Sequence, residues 1–209
     1  MFGDGALTFQ EFARREPLPL ATIQDAVLDF LQGRDDAVVF GAQAVNAYLG
    51  EPRMTQGIDI ISIRAAALAQ ELRQFLADRF QIAVRVRTVA QGRGHRLYQV
   101  QKEKNRRLVD VRQADQLPAA QRVADVLVMT PVELIASKVI AYQSRLGNPK
   151  AGTDWRDIVM LLLEFPELKS ESGPVQKSLQ ASQADERVLA AWKELVSRDF
   201  RLDEEDDEF

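Results

Sequence analysis

Two aspartates lie inside apolar stretches that otherwise have the composition of buried β-strands. Asp59 belongs to the run IDII, and Asp110 belongs to the run LVDV. A carboxylate in such a strand is costly unless it is ion-paired, hydrogen-bonded or bound to a cation. If the strands are neighbours, the two acids converge on one point at a sheet edge, and oxygen ligands of this kind suit Mg²⁺.

The alternative is that an arginine neutralises each acid. The arginines close to the two acids in sequence are Arg53, Arg64, Arg107 and Arg112. The residues alone leave both interpretations open, because an ion pair and a metal ion satisfy a buried carboxylate equally well.

The elements that must position these acids follow from hydrophobic periodicity. Helical spacing predicts helices over residues 20–31, 42–49 and 65–80. Short apolar runs predict strands over residues 37–40 and 58–62. Alternation predicts a further half-exposed strand within QIAVRVRTVA, and two more, HRLYQV and RRLVDVR, flank the charged turn QKEKN.

Helices dominate the second half of the chain. Thr130, Pro131 and Glu133 have the spacing of an N-cap, a first-turn proline and a first-turn acid. We expect helices over residues 131–145, 154–164 and 185–200, broken by GNPKAGT and by a polar loop at SESGPVQKS.

The predicted fold class is therefore α+β, with a mixed sheet and flanking helices followed by a C-terminal helical subdomain. We predict an N-terminal extension and helix over residues 1–35, an α/β core over 36–130 and a helical subdomain over 131–202. Residues 203–209 carry six acids and no base, so we predict a disordered acidic tail there.

Composition restricts the chemistry. The chain has no cysteine and one histidine, which excludes thiolate zinc sites, a thiol nucleophile and histidine-rich metal sites. The formal net charge is -4, and without the acidic tail the remainder is about +2. No signal peptide or membrane-spanning run is recognisable, so we expect a cytoplasmic protein with no membrane partner.

Two motifs resemble the nucleotidyltransferase superfamily to which DNA polymerase beta belongs, in the form found in AbiEii-type toxins. The first is GxxA at residues 41–44, a glycine at 50, PRxT at 52–55 and IDI at 58–60. The second is PxELxxxK at 131–138, an arginine at 145 and DxxDI at 154–158. The motifs occur in the order of that family, and the likeness spans roughly residues 37–165.

The resemblance implies an Mg²⁺-dependent transfer of a nucleotidyl group from an NTP to a hydroxyl of RNA, protein or a small molecule. By position it assigns the metal to Asp59 and Asp110, and the catalytic charge at the triphosphate to Lys138. The other nucleotide-binding positions that it implies are Gly41, Ala42, Arg53, Thr55, Arg145, Asp154 and Asp157. It also implies a toxin-like role with an antitoxin-like partner.

One position departs from the family pattern. The resemblance calls for the first metal-binding aspartate at position 57, and this chain has Gly57. Because that acid would bridge two metal ions, its absence removes a charge and a ligand together. The sequence leaves open whether the chain is an enzyme. Two hypotheses remain: a nucleotidyltransferase with a depleted acid set, or a catalytically inactive nucleotide-sensing or protein-binding module.

Overall fold

The computed structural model describes residues 18–50 and 52–200, where the chain forms seven strands and seven α-helices. The predicted acidic tail and most of the predicted N-terminal extension lie outside these residues. The strands are β1 (Ala37–Phe40), β2 (Ile58–Ser62), β3 (Val84–Val89), β4 (Gly94–Gln99), β5 (Arg106–Gln113), β6 (Ala120–Val123) and β7 (Val126–Met129). The helices are α1 (Leu20–Leu31), α2 (Gly41–Asn46), α3 (Ala65–Phe80), α4 (Pro131–Ser144), α5 (Pro149–Glu164), α6 (Pro174–Ala181) and α7 (Glu186–Ser197).

The seven strands form one mixed sheet in the order β3-β4-β5-β2-β1-β7-β6. The pairs β2–β5 and β1–β7 are parallel, and the other neighbours are antiparallel. The predicted α+β class is thus confirmed. Since parallel strands need a crossover, α3 and the β3–β4 hairpin connect β2 to β5.

Strand alternation decides which side of the sheet carries the acid of β2. Ile58, Ile60 and Ser62 are buried, whereas Asp59 and Ile61 between them are half-buried. Helix α3 packs on β3, β4, β5 and β2 through Leu68, Leu72 and Leu76. Because successive side chains point to opposite faces, Asp59 lies on the side of the sheet away from the buried isoleucines.

The C-terminal helices share one hydrophobic core with the sheet. Helix α4 packs against α5, α6 and α7, and Trp192 of α7 is fully buried. The Thr130 hydroxyl accepts a hydrogen bond from the Glu133 amide at 3.5 Å, as the N-cap prediction requires. Among the described helices, none has the length and apolar character of a membrane span.

Three local predictions were wrong. Helix α5 begins at Pro149 rather than at residue 154, because Asn148 caps it and Pro149 occupies its first turn. The expected loop SESGPVQKS contains the start of α6 at Pro174, after Gly173. Helix α2 covers Gly41–Asn46 instead of residues 42–49.

Candidate active site

The two strand acids lie side by side. In the parallel pair β2–β5, Asp59 is in register with Asp110, so both side chains leave the same side of the sheet. We call this side of β2 and β5 the acid face. The expectation that the acids meet at a sheet edge was wrong, because β2 and β5 are interior strands. The predicted meeting of the two carboxylates is observed.

Asp59 has a carboxylate that the described residues do not pair. No lysine or arginine of the described chain lies within ion-pair distance of it. Burial raises the pKa of Asp59, as does the charge of Asp110, while Arg107, Arg112 and Lys138 lower it without cancelling the rise. Such a carboxylate gains from a cation supplied from outside the chain.

Gly41 passes directly over Asp59. Its φ is +72°, and a Cβ at this position would stand 2.7 Å from Asp59 Oδ2. Glycine is therefore required twice, for the left-handed backbone and for the close approach. Ala42 follows in the first turn of α2, so the backbone after β1 runs along the rim of the acid face.

Asp110 is paired, but incompletely. Arg96 Nε lies 3.2 Å from Asp110 Oδ1, and Arg107 NH1 lies 3.4 Å from Oδ2. Asp110 Oδ1 is buried and accepts no hydrogen bond, because the approach of Arg96 is off the hydrogen-bonding direction. The arginine alternative raised by the sequence therefore holds for Asp110 and fails for Asp59.

A β-bulge at Leu108 places Arg107 on the acid face. Tyr98 of β4 pairs with Arg107 and Leu97 pairs with Val109, so Leu108 is the extra residue. An extra residue in a strand moves the side chains that precede it to the opposite face of the sheet. Without it, Arg107 would point to the side opposite Asp110.

The same bulge closes the space beside Gly57. A Cβ on Gly57 would lie 2.9 Å from the carbonyl oxygen of Leu108 and 3.7 Å from Arg107 Nε. The first contact is with backbone, so an aspartate at position 57 would require the strand to shift. Arg107 thus lies in van der Waals contact with the position that the family pattern gives to the first metal-binding acid.

A second group of charges joins the sheet region to the C-terminal helices. We call it the ion-pair cluster: Arg53, Lys138, Arg145, Asp154 and Asp157. Arg53 donates from Nε and NH2 to the two oxygens of Asp157, both at 2.8 Å. Lys138 Nζ lies 2.7 Å from Asp157 Oδ2 and 3.2 Å from Asp154 Oδ1. Arg145 NH1 completes the cluster at 2.6 Å from Asp154 Oδ2.

Helical spacing and a clamped loop assemble the cluster. Asp154 and Asp157 are three residues apart on α5, so they share a helix face toward Lys138 of α4. Arg53 is fixed because its backbone N–H donates to Asn46 Oδ1 at 3.1 Å and its carbonyl accepts from Asn46 Nδ2 at 2.7 Å. Asp157 therefore pairs with Arg53 and Lys138, and Asp154 pairs with Lys138 and Arg145.

The charges of the cluster affect one another strongly because its two carboxylates are buried. Asp157 is 0% exposed and Asp154 is 3% exposed. Burial raises the pKa of Asp157, but the hydrogen bonds and charges of Arg53 and Lys138 outweigh it, so the net shift is downward. The hydrogen bond to Asp157 raises the pKa of Arg53 correspondingly. With three cations and two carboxylates, the cluster carries one excess positive charge.

Thr55 is engaged in holding the segment before β2. Its hydroxyl accepts from Gln24 Nε2 at 2.9 Å and donates to Gln43 Oε1 at 3.1 Å. The structure thus joins Thr55 to α1 and α2 and brings Asp59, Asp110 and Gly41 together. Sequence reasoning did not identify Arg96, whose role depends on a register with Asp110 that no local pattern encodes.

The acid face offers ligands for one Mg²⁺ ion. Asp59 has an unpaired carboxylate and Asp110 has an orphaned buried oxygen, and Mg²⁺ commonly takes one or two carboxylates with water and phosphate oxygens. The face does not offer ligands for two ions, because Gly57 contributes none and Arg107 lies beside it. Within the described residues, no group of three or more acidic or histidine side chains could hold a metal ion.

Solved structures share this fold. The Megavirus polyadenylate synthase superposes with a TM-score of 0.57 at 10% identity, covering 70% of this chain and 32% of that chain. JHP933 from Helicobacter pylori superposes with a TM-score of 0.50 at 10% identity, covering 91% of this chain and 93% of that chain. An antigenic nucleotidyltransferase-like protein from Paracoccidioides brasiliensis has a TM-score of 0.48 at 19% identity, covering 83% of this chain and 92% of that chain. This chain spans about a third of the polyadenylate synthase. Its α+β sheet and helices define it as a nucleotidyltransferase-fold protein.

The family follows from the sequence as a whole. The model of the family described as "Nucleotidyl transferase AbiEii toxin, Type IV TA system" matches residues 25–207, and this chain belongs to that family. The resemblance inferred from the two motifs is confirmed. A search of curated proteins finds no match.

Proposed function

We propose that this protein binds an NTP with Mg²⁺ at the acid face and transfers the nucleotidyl group to a hydroxyl of RNA, protein or a small molecule. One observation carries the proposal: Asp59 and Asp110 are in register on adjacent parallel strands, and each has carboxylate oxygen that the described residues leave unsatisfied. Family membership supports it, because the family is described as nucleotidyl transferase.

Asp59 and Asp110 would hold the ion, which offsets the negative charge of the phosphate oxygens when it is bound. Gly41 and Ala42 line the same rim, where the absence of a Cβ on Gly41 leaves room beside the Asp59 carboxylate. Catalysis of this type depends chiefly on positioning and charge neutralisation. The two acids and the Gly41 turn therefore form the core of the proposed site.

The ion-pair cluster supplies a positive field toward this core. Its excess charge is positive, and the Lys138 charge acts on Asp59 across the intervening space. Lys138 is held by two buried carboxylates, so its proposed role at the triphosphate is electrostatic. Arg145, whose side chain is 44% exposed, is the most exposed cation of the cluster, so we propose it as the one that contacts a phosphate. Arg53 and Thr55 position the loop before β2.

The transfer step is a substitution at the α-phosphorus of the NTP. The acceptor hydroxyl oxygen forms a bond to that phosphorus, the bond to the bridging oxygen of the β-phosphate breaks, and pyrophosphate leaves with the electron pair. The hydroxyl proton passes to solvent. The products are the nucleotidylated acceptor, pyrophosphate and a proton.

The proposal is tested by calorimetric titration of each NTP with and without Mg²⁺. We expect Mg²⁺-dependent binding that Asp59→Asn weakens by tenfold or more, a loss of about 1.4 kcal/mol. Asp115→Asn is the matched control, because it removes the same charge from an exposed position just after β5. Equal binding by both variants, together with no label transferred from NTP to RNA or protein, would contradict the proposal.

A second candidate is a catalytically inactive nucleotide-sensing or protein-binding module. The closed space at Gly57 favours it, because an acid cannot be restored there without moving the Leu108 carbonyl. This candidate predicts NTP binding without transfer of label to any acceptor. Detection of pyrophosphate released in proportion to labelled acceptor decides against it.

The family description also supports a toxin that an antitoxin restrains. We propose that the protein acts in the cytoplasm, where NTP and Mg²⁺ are available, and that its expression arrests bacterial growth. Growth restored by Asp59→Asn but not by Asp115→Asn is the expected result. Rescue by co-expression of a neighbouring gene product would identify the antitoxin-like partner.

A further inference from the structure

Arg107 occupies the part of the acid face from which the first metal-binding acid is missing. Its Nε is 3.7 Å from the position of a Cβ on Gly57, and its NH1 is 3.4 Å from Asp110 Oδ2. The β-bulge at Leu108 is the cause, because it turns Arg107 toward Asp110. The glycine and the arginine are therefore complementary: Gly57 has no side chain, and the Arg107 guanidinium lies beside it.

From this arrangement we infer that Arg107 binds the phosphates of the nucleotide directly and replaces the second metal ion, so that the site takes an NTP with a single Mg²⁺. The inference rests on the proposed nucleotide binding and specifies how the acid face achieves it. Arg107 is then a phosphate-binding residue that brings a permanent positive charge where the family pattern places an acid and a metal.

The chemistry of the guanidinium suits this role. Arginine remains charged at all physiological pH values and presents a planar fork that matches two phosphate oxygens. The Arg107 side chain makes no hydrogen bond within the described residues, and its contact with Asp110 is a longer ion pair. Arg53 shows the contrast, since both sides of its fork are committed to Asp157 at 2.8 Å. Arg107 thus keeps donors for a ligand.

Charge also argues against a second divalent ion. A metal ion beside Gly57 would meet the Arg107 guanidinium and would find no carboxylate at position 57. The positive charges of a metal ion and of an adjacent guanidinium repel each other strongly in a partly buried site. One divalent ion between Asp59 and Asp110 leaves Arg107 to neutralise the phosphate charge that the missing ion would have met.

The experiment counts metal ions and measures affinity on the same protein. Mn²⁺ is titrated into the protein saturated with the NTP that binds best, and bound Mn²⁺ is counted by electron paramagnetic resonance. We expect one ion per complex, after subtraction of Mn²⁺ bound to free NTP. Two ions per complex would overturn the inference.

Affinity for the triphosphate is then measured for Arg107→Gln, Arg107→Lys and Arg85→Gln. Loss of a charge-assisted contact is expected to weaken NTP binding by about tenfold or more in Arg107→Gln, with a smaller loss in Arg107→Lys. Arg85→Gln is the matched control, because Arg85 and Arg107 both pair with Tyr98 along one row of the sheet. Binding of NTP should weaken more than binding of the monophosphate.

The outcomes separate this inference from the proposed function. If the native protein binds Mg²⁺-NTP through Asp59 and Arg107→Gln binds as tightly as Arg85→Gln, the inference fails and the proposed function stands. If the native protein binds no NTP, the proposed function fails and the inference fails with it. Thermal unfolding of each variant shows whether a loss of binding reflects a loss of the fold.

Discussion

The acid face and the ion-pair cluster each contain two aspartates, and they treat them in opposite ways. In the cluster every carboxylate oxygen of Asp154 and Asp157 has a cationic partner. On the acid face Asp59 has none, and one oxygen of Asp110 accepts no hydrogen bond. The pKa of Asp157 is lowered, whereas burial raises that of Asp59. Satisfied acids hold the fold together, and the unsatisfied acids are the ones that we propose bind an external cation.

Lys138 belongs to the ion-pair cluster, although the family resemblance assigns it to the nucleotide. The family resemblance assigns it to the triphosphate, yet its amine bridges two buried carboxylates. Moving it to a phosphate would leave Asp157 with Arg53 alone. Lys138 therefore connects the two regions through its charge, which acts on Asp59 without contact.

Breaking the cluster is expected to have the largest effect. Asp157→Ala removes the buried carboxylate that pairs with Arg53 and one of the two that pair with Lys138, so we expect a loss of about 3–5 kcal/mol in the free energy of unfolding. Urea unfolding measures it, and Asp115→Ala, at an exposed position, should stay within about 0.5 kcal/mol of the native value. A loss below about 1 kcal/mol would show that the cluster does not hold the fold.

The second largest effect is expected at the turn beside the acid face. Gly41→Ala places a Cβ 2.7 Å from Asp59 Oδ2 at a φ of +72°. We expect about 2–4 kcal/mol of destabilisation, combining left-handed strain with overpacking. Gly147→Ala is the control, because Gly147 has a φ of +82° and no atom within 4 Å of the added Cβ. Equal losses in the two variants would rule out the contact with Asp59.

A third variant tests whether the acid face can regain its missing ligand. Gly57→Asp brings its Cβ to 2.9 Å from the Leu108 carbonyl oxygen, so we expect a loss of about 1–3 kcal/mol. We expect no additional Mn²⁺ in the nucleotide complex, since the new carboxylate would pair with Arg107. Gly57→Ala separates the steric cost from the charge. A second bound ion in Gly57→Asp would show that the face retains a two-metal arrangement.

The smallest expected effect is a gain, not a loss, in the free energy of unfolding. Asp59→Asn removes an unpaired, partly buried charge, so without metal it should raise the free energy of unfolding by about 0.5–2 kcal/mol near pH 7. Burial raises the folded pKa of Asp59 above its ordinary value of 3.8, so the native protein loses stability as pH rises through the folded pKa.

The gain from Asp59→Asn is therefore present at neutral pH and disappears below about pH 3.8, where the carboxyl is protonated in both states. Thermal unfolding in EDTA across this range measures it. Asp110→Asn should not stabilise, because it weakens the contacts with Arg96 and Arg107. A destabilised Asp59→Asn variant at pH 7 would mean that Asp59 is already satisfied.

The parts of the fold that depend on local sequence could be predicted. The bounds of α1 and α3 match the helical periodicity, and β1 and β2 match the apolar runs. The apolar-acid-apolar pattern also indicated that Asp59 and Asp110 belong to strands. These features need only neighbouring residues, so a single sequence contains them.

Non-local pairing explains most of the rest. Arg53 and Asp157 meet across 104 residues, and only the folded chain shows that the cluster consumes these charges. The bulge at Leu108 is a shift in the hydrogen-bond register between β4 and β5. Side-chain alternation within one strand does not reveal such a shift. The missed start of α6 has a different cause: Gly173-Pro174 is typical of a turn and equally typical of a helix start.

The single extra residue in β5 also has an evolutionary meaning. Loss of one codon at Leu108 would restore a regular ladder with β4 and would leave Arg107 opposite Tyr98, on the acid face. Only a substitution at position 107 would take that charge away from the acid face. Related genes can therefore gain or lose the bulge by one codon without changing which side of the sheet carries the arginine.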